Sequence, residues 1–126
     1  MRNMTPHTIN FYRPNDITFA KETKRWVRIS DAKPFVSIPS EGCARVQHGL
    51  SKPEDVLVDG IAVPVLEKPI LDLDPLPQGE PCIVSLIYAQ AYRAERGHDG
   101  TILYTVGDTI LDERGAIIGA KNLVKV

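Results

Sequence analysis

The sequence predicts an α+β fold, in which one α-helix packs on a mainly antiparallel β-sheet or half-barrel of many strands. Leu86 to Arg96 is the only stretch that could form three turns of helix, at about residues 85–97 with its caps. Ile83 to Tyr88 could also continue as a strand. Short alternating runs between proline and glycine turns fill most of the remaining chain. The 126 residues fit a single domain, residues 1–126, that buries roughly two thirds of its unfolded surface.

The ends and the inner face of the helix follow from residue types. Ser85 can cap its start, and Gly97 suits the left-handed position after its last turn. Ile87, Ala91 and Ala94 are spaced at i, i+4 and i+7, which predicts the face that packs on the sheet.

Turn signals place the hairpins. Ile17 to Ile29 reads as a hairpin with a charged turn, and Asp59-Gly60 is a two-residue hairpin signal between two apolar runs. Pro64 cannot donate to a strand ladder, so its strand is expected at an edge or a bulge. Gly119 within a strand predicts a bulge or a close backbone approach.

Two segments carry the cysteines, and a third is interrupted by prolines. Cys43 to His48 and Pro81 to Val84 read as buried strands, so we expect Cys43 and Cys82 to be reduced core thiols. Pro69 to Pro77 is expected to be an extended connector rather than a central strand.

The composition is that of an ordinary globular protein, with 43% hydrophobic residues, 25% charged residues and a net charge of -1. This charge gives no indication of nucleic-acid binding. The first residues lack the apolar core of a secretory signal, and no apolar run could span a bilayer. We therefore expect no membrane contact and a cytoplasmic location.

The first candidate contact surface is the charged hairpin. Lys24, Arg25 and Arg28 lie close to Trp26 in sequence, a pattern that can bind phosphate or stack a base. A solvated hairpin tip is the alternative reading.

The second candidate is the end of the helix. His98 and Asp99 stand between two glycines, which suits a ligand-contacting loop but also an ordinary helix terminus. Asp72 and Asp74 share a face if their segment is extended, so the pair could hold Mg²⁺ or act as acid and base, although surface carboxylates in a connector are commonly just solvated.

Known reaction signatures are missing from the sequence. There is no phosphate-binding P-loop, no G-x-G-x-x-G after a strand and no G-x-S-x-G elbow. His7, His48 and His98 lack metal-site spacing. We therefore assign no catalytic residue and no metal ligand, and expect no cofactor.

Four stretches carry a resemblance to known proteins: Asn3 to Ile9, Pro39 to Val46, Ile83 to Ala91 and Asp112 to Gly119. Together they resemble small proteins of bacteriophages and bacteria that have no assigned activity. In order and spacing the resemblance covers most of the chain, with Lys21 to Arg28 and Pro69 to Pro77 as departures. It implies an origin in phage or mobile DNA and carries over no site.

Three functions remain open. The favoured one is a non-enzymatic small binding protein that contacts a host protein or a small ligand and forms homo-oligomers through its strand edges. The rival is a small hydrolase acting on a phosphate-bearing substrate such as a nucleotide, using His98, Asp99 and the Asp72/Asp74 pair. A minor virion structural component is the third.

Overall fold

A computed structural model describes all residues, 1–126, and has one helix among many short strands. The helix, α1, is Leu86–Arg96, and a short 3₁₀ turn occupies Pro14–Asp16. The strands are β1 (Arg2–Asn3), β2 (Ile9–Phe11), β3 (Ile17–Ala20), β4 (Arg25–Arg28), β5 (Val36–Ile38), β6 (Val46–His48), β7 (Glu54–Val58), β8 (Ile61–Val65), β9 (Ile70–Leu73), β10 (Cys82–Ile83), β11 (Leu103–Val106), β12 (Thr109–Leu111), β13 (Ile117–Ala120) and β14 (Leu123–Lys125).

Two larger sheets form the body. One has four strands in the order β1-β10-β11-β14, and the other has six in the order β3-β4-β12-β13-β2-β5. Six of the ten strand pairs are antiparallel, so the sheets are mixed but mainly antiparallel. The predicted α+β class is therefore confirmed.

The helix begins and ends where the sequence predicts. The hydroxyl of Ser85 accepts a hydrogen bond from the Tyr88 N–H, and the Gly97 N–H donates to the carbonyl of Arg93. The predicted inner face is partly wrong, because Ile87 and Ala94 are exposed.

Two tyrosines take over that inner face of α1. Tyr88 and Tyr92 are buried there together with Ala89 and Ala91. They pack with Leu103 of β11 and with Ala44 and Leu73, which lie at the base of the chain's longest hairpin.

That hairpin is called the arm here, residues 46–73. The pair β6–β9 forms its base, the pair β7–β8 forms its tip, and backbone bonds from Gly49 to Pro69 and from Ser51 to Glu67 join the two pairs. The predicted connector of prolines therefore contributes β9 to the arm. Cys43 precedes the first arm strand and is only half-buried, so its assignment to a buried strand is wrong.

Two turn predictions are confirmed in detail. Asp59 and Gly60 have φ values of 51° and 79°, as the type I′ turn of a two-residue hairpin requires. At Gly119, an added Cβ would lie 2.5 Å from the carbonyl oxygen of Asn10, so β13 and β2 approach closely there. The ladder between β12 and β13 also shifts register beside it. No helix of the structure is long and apolar enough to cross a membrane.

Candidate functional site

The tip of the arm presents a continuous apolar face to solvent. The register pairs Val56 with Val63 and Val58 with Ile61, and Val65 follows on the same face because side chains alternate along a strand. All five side chains are exposed, and Ile61 is 68% exposed. Aliphatic β-branched residues on one open sheet face are typical of a surface that is covered in an assembly.

The outer edges of the tip differ from each other. Along a two-residue hairpin, hydrogen-bonded pairs alternate with pairs that are not hydrogen-bonded. Val58 and Ile61, beside the turn, bond to each other, whereas the residues of the next pair point their backbone N–H and C=O groups outward. Pro64 occupies an outward-pointing position of β8 and has no N–H to offer. On β7 the N–H groups of Asp55 and Leu57 point outward, whereas on β8 only that of Ala62 does, so β7 offers more donors to another strand.

The total exposed surface is large for a chain of this mass. The chain exposes 8653 Å² and buries only 17 of its 126 residues. A compact monomer of 14.0 kDa exposes ~6,700 Å². The chain therefore exposes about 2,000 Å² more than a compact monomer of its mass, which is more than the ~1,600 Å² that two standard interface patches would bury.

The arm tip is also acidic. Residues 54–66 contain Glu54, Asp55 and Asp59 and no lysine or arginine. An interface with this tip would therefore favour a cationic partner surface.

The predicted charged hairpin forms a basic surface at the end of the six-stranded sheet. Lys24 stands in the turn with a φ of 58°, and Arg25 is exposed beside it. Trp26 is half-buried, with Phe19 packed edge-on at 5.2 Å and the Lys121 ammonium 3.6 Å above its ring. The ring therefore belongs partly to the fold, while the cations around it face solvent.

Arg28 is less available than the sequence suggested. One guanidinium nitrogen bonds Glu113 at 3.1 Å, and the Nε atom is enclosed without a hydrogen-bond partner. The bond to Glu113 also raises the pKa of Arg28. This side chain mainly ties β4 to the turn before β13.

His98 and Asp99 are exposed in the loop between α1 and β11. This loop leads into the four-stranded sheet, whereas Trp26 belongs to the six-stranded sheet. The Asp99 carboxylate accepts hydrogen bonds from the Tyr92 hydroxyl at 2.7 Å and from the Thr101 N–H at 3.1 Å. The Tyr92 bond is the main cause that lowers the pKa of Asp99 to about 2. Asp99 therefore stays charged at neutral pH and fastens its loop, which suits it poorly to proton transfer.

The Asp72 and Asp74 carboxylates are also used by the fold. Asp74 accepts from the side chain of Gln47 and the N–H of Arg45, each at 2.9 Å, and the Gln47 bond chiefly lowers its pKa. Asp72 accepts from the N–H of Leu73. No group of three or more histidine, cysteine, aspartate and glutamate side chains is arranged to hold a metal ion.

A groove of about 820 Å³ opens between the two larger sheets at the start of α1. Its walls combine apolar side chains such as Ile118 with Tyr12, Ser85, Arg28 and the buried Thr105. Ligand pockets commonly measure about 300–1,000 Å³. The groove is therefore large enough for a small molecule.

The arm and the groove were missed as sites by the sequence reasoning. The Asp59-Gly60 turn between apolar runs signalled the hairpin, but nothing in the sequence showed that no other strand covers it. The groove joins residues far apart in the chain. Comparison with family models, with curated proteins and with solved structures finds no match for this chain.

Proposed function

We propose that this chain is a non-enzymatic binding protein and that the arm is the surface by which it contacts another protein. The observation that carries the proposal is the exposed apolar face of Val56, Val58, Ile61, Val63 and Val65. Each aliphatic side chain of this size contributes about 1.5–3 kcal/mol when it is fully buried. A partner that covers the face therefore gains substantial binding energy.

The geometry of the arm supports recognition rather than a purely local structural role. An isolated two-stranded hairpin is only marginally stable in water. The base of the arm is held by the body, because Leu73 and Ala44 are buried against Tyr88. The arm tip is thus presented by a fixed base, as a protein-binding element requires.

The hydrolase alternative has less support. The carboxylates proposed for it, Asp72, Asp74 and Asp99, each accept hydrogen bonds that stabilise local backbone. His98 makes no side-chain hydrogen bond that would orient it as a base, although bonds of this kind can tighten when a substrate binds.

The resemblance to phage and bacterial proteins supports a setting in the cytoplasm of a host cell. There, a host protein or another copy of the chain is available as the partner. A role as a minor virion component would use the same arm in a different place.

A pull-down with matched variants tests the proposal. Ile61 and Ile87 are both 68% exposed, but Ile61 lies on the arm and Ile87 on the helix. The tagged chain and Ile87→Asp should retain a stoichiometric protein partner, a second copy included, while Ile61→Asp should lose it. Nucleotide hydrolysis that disappears in His98→Ala would instead support the hydrolase.

A small-ligand function is the second candidate, and the groove is the observation that favours it. Its mixture of aliphatic walls with the Arg28 guanidinium suits a small molecule with an apolar body and an anionic group. A ligand of this kind should raise the melting temperature of the wild-type chain. Ile118→Trp, which fills the groove, should abolish that rise.

A further inference from the structure

We infer that the arm of one chain docks head to tail on the basic hairpin of a second copy, the hairpin being residues 17–28. This inference rests on the proposed function, since it names the protein that the arm binds. The arm of the first copy is then covered by the second, whose own arm is free to continue to another copy.

Charge complementarity is the first argument. The arm tip has three carboxylates and no cation, whereas residues 21–28 have four cations and one carboxylate. Lys21, Lys24 and Arg25 are exposed, and Lys121 adds a further cation over Trp26. Opposite potentials on two surfaces of one chain favour contact between copies.

The same charges argue against two arms that stack on each other. Such a symmetric contact would bring two acidic tips together, with Glu54 of each copy on the covered face, and residues 54–66 supply no cation to offset them. Like charges that are brought together at an interface disfavour the contact. The apolar face is therefore best covered by a different surface of the second copy.

Both surfaces also end in an unpaired strand edge. β3 is the outermost strand of the six-stranded sheet. β7 directs the N–H groups of Asp55 and Leu57 outward, while the opposite edge of the arm tip keeps only the Ala62 N–H because Pro64 has none. Strand addition of β7 to β3 would bring the apolar arm face close to Phe19, which is 43% exposed.

The area is sufficient for a stable contact. In a head-to-tail assembly each copy contributes two patches, the arm and the hairpin, and a standard interface buries about 800 Å² on each. The excess surface of about 2,000 Å² relative to a compact monomer is large enough to supply two such patches, which together need ~1,600 Å². A contact that does not use the same patch twice leads to rings or open chains.

A charge-reversal experiment tests the inference by light scattering after size exclusion. Glu54→Lys/Asp55→Lys reverses the arm, and Lys21→Glu/Arg25→Glu reverses the hairpin, while the positive-φ residues Lys24 and Asp59 are left unchanged. The wild type should form assemblies of two or more copies that weaken with added salt. The dissociation constant of the assembly should be at least about tenfold higher for each reversed chain than for the wild type.

Mixing the two reversed chains gives the decisive measurement. An equimolar mixture of the two reversed chains should assemble again, because each acidic hairpin then meets a basic arm. Trp26 is the only tryptophan, so its emission should change on mixing. If circular dichroism shows that the Glu54→Lys/Asp55→Lys chain is unfolded, the milder Glu54→Gln/Asp55→Asn chain replaces it.

Two results would overturn the inference. One is a wild type that stays monomeric up to its solubility limit, and the other is an assembly that both reversals leave unchanged. If the wild type is a monomer that binds a different protein, and Ile61→Asp loses that protein, the self-association is refuted and the proposed function stands. A monomer with no arm-dependent partner would refute both.

Discussion

The hydroxyl of Tyr88 donates a hydrogen bond of 2.5 Å to the backbone carbonyl of Asp74, directly after the last strand of the arm. Tyr88 is fully buried in the inner face of α1. Burial raises the pKa of Tyr88 to about 12, so the hydroxyl keeps the proton that it donates. This bond fixes the base of the arm to the only helix.

Removal of that hydroxyl should destabilise the protein. Tyr88→Phe leaves the Asp74 carbonyl without its partner, and we expect the free energy of unfolding to fall by about 1–2 kcal/mol in urea denaturation. Tyr104→Phe is the control, because Tyr104 is half-buried and makes no side-chain hydrogen bond. Equal losses in the two variants would contradict a specific role for the Tyr88 bond.

Gly119→Ala should also destabilise the fold. The added methyl group would lie 2.5 Å from the Asn10 oxygen and 2.9 Å from the Tyr12 ring, and backbone cannot yield as a side chain can. We expect a loss of about 1–3 kcal/mol, measured by chemical denaturation. Gly49→Ala is the matched control, since its nearest neighbours are the mobile end of the Leu71 side chain. Its stability should stay close to that of the wild type.

Acid should remove a contribution that Asp99 makes to stability. The folded pKa of about 2 lies below the ordinary value of about 3.9 in an unfolded chain. The contribution is therefore present above about pH 4 and is lost as the pH falls towards 2. Asp99→Asn should show a shallower decline of the urea midpoint across this interval.

Tyr92→Phe probes the cause of that shift. It deletes the hydrogen bond that contributes most to the low pKa of Asp99, so the pKa should rise towards its ordinary value. NMR titration of the Asp99 side-chain carboxyl would measure the change. An unaltered titration in Tyr92→Phe would show that the Thr101 N–H suffices alone.

The two thiols should react at different rates. Cys82 is fully buried and its desolvation raises its pKa, while Cys43 is half-buried. One thiol per native chain should react rapidly with a chromogenic disulfide, and the second only after unfolding. Cys43→Ser should abolish the rapid phase, and persistence of that phase would contradict the assignment.

Local rules predicted the elements well. Ser85 and Gly97 mark the ends of α1, and Asp59-Gly60 forms the predicted turn, because caps and tight turns depend on a few adjacent residues. The inner face of the helix was harder to predict. Tyr88 and Tyr92 are buried because their hydroxyls find partners in Asp74 and Asp99, which lie outside the helix.

The candidate surfaces also divide into features that neighbouring residues predict and features that depend on the arrangement of the sheets. Lys24, Arg25 and Arg28 were visible as a cluster because they lie within two residues of Trp26 in the chain, whereas Lys121, which stands over the Trp26 ring, was not. The apolar arm face was not recognised, since alternating valines read the same whether another element covers them or not. Only the arrangement of the sheets reveals that β7 and β8 pair with no other strand.

The placement of the first strand also affects how the chain folds during synthesis. β1 pairs with β10, so Arg2 and Asn3 meet Cys82 and Ile83, about 80 residues away. The N-terminal strand must therefore wait until most of the chain has left the ribosome, whereas the arm can close as soon as its own residues emerge. Long-range pairing of this kind slows folding. The apolar arm is thus exposed on the nascent chain before the body that holds it exists.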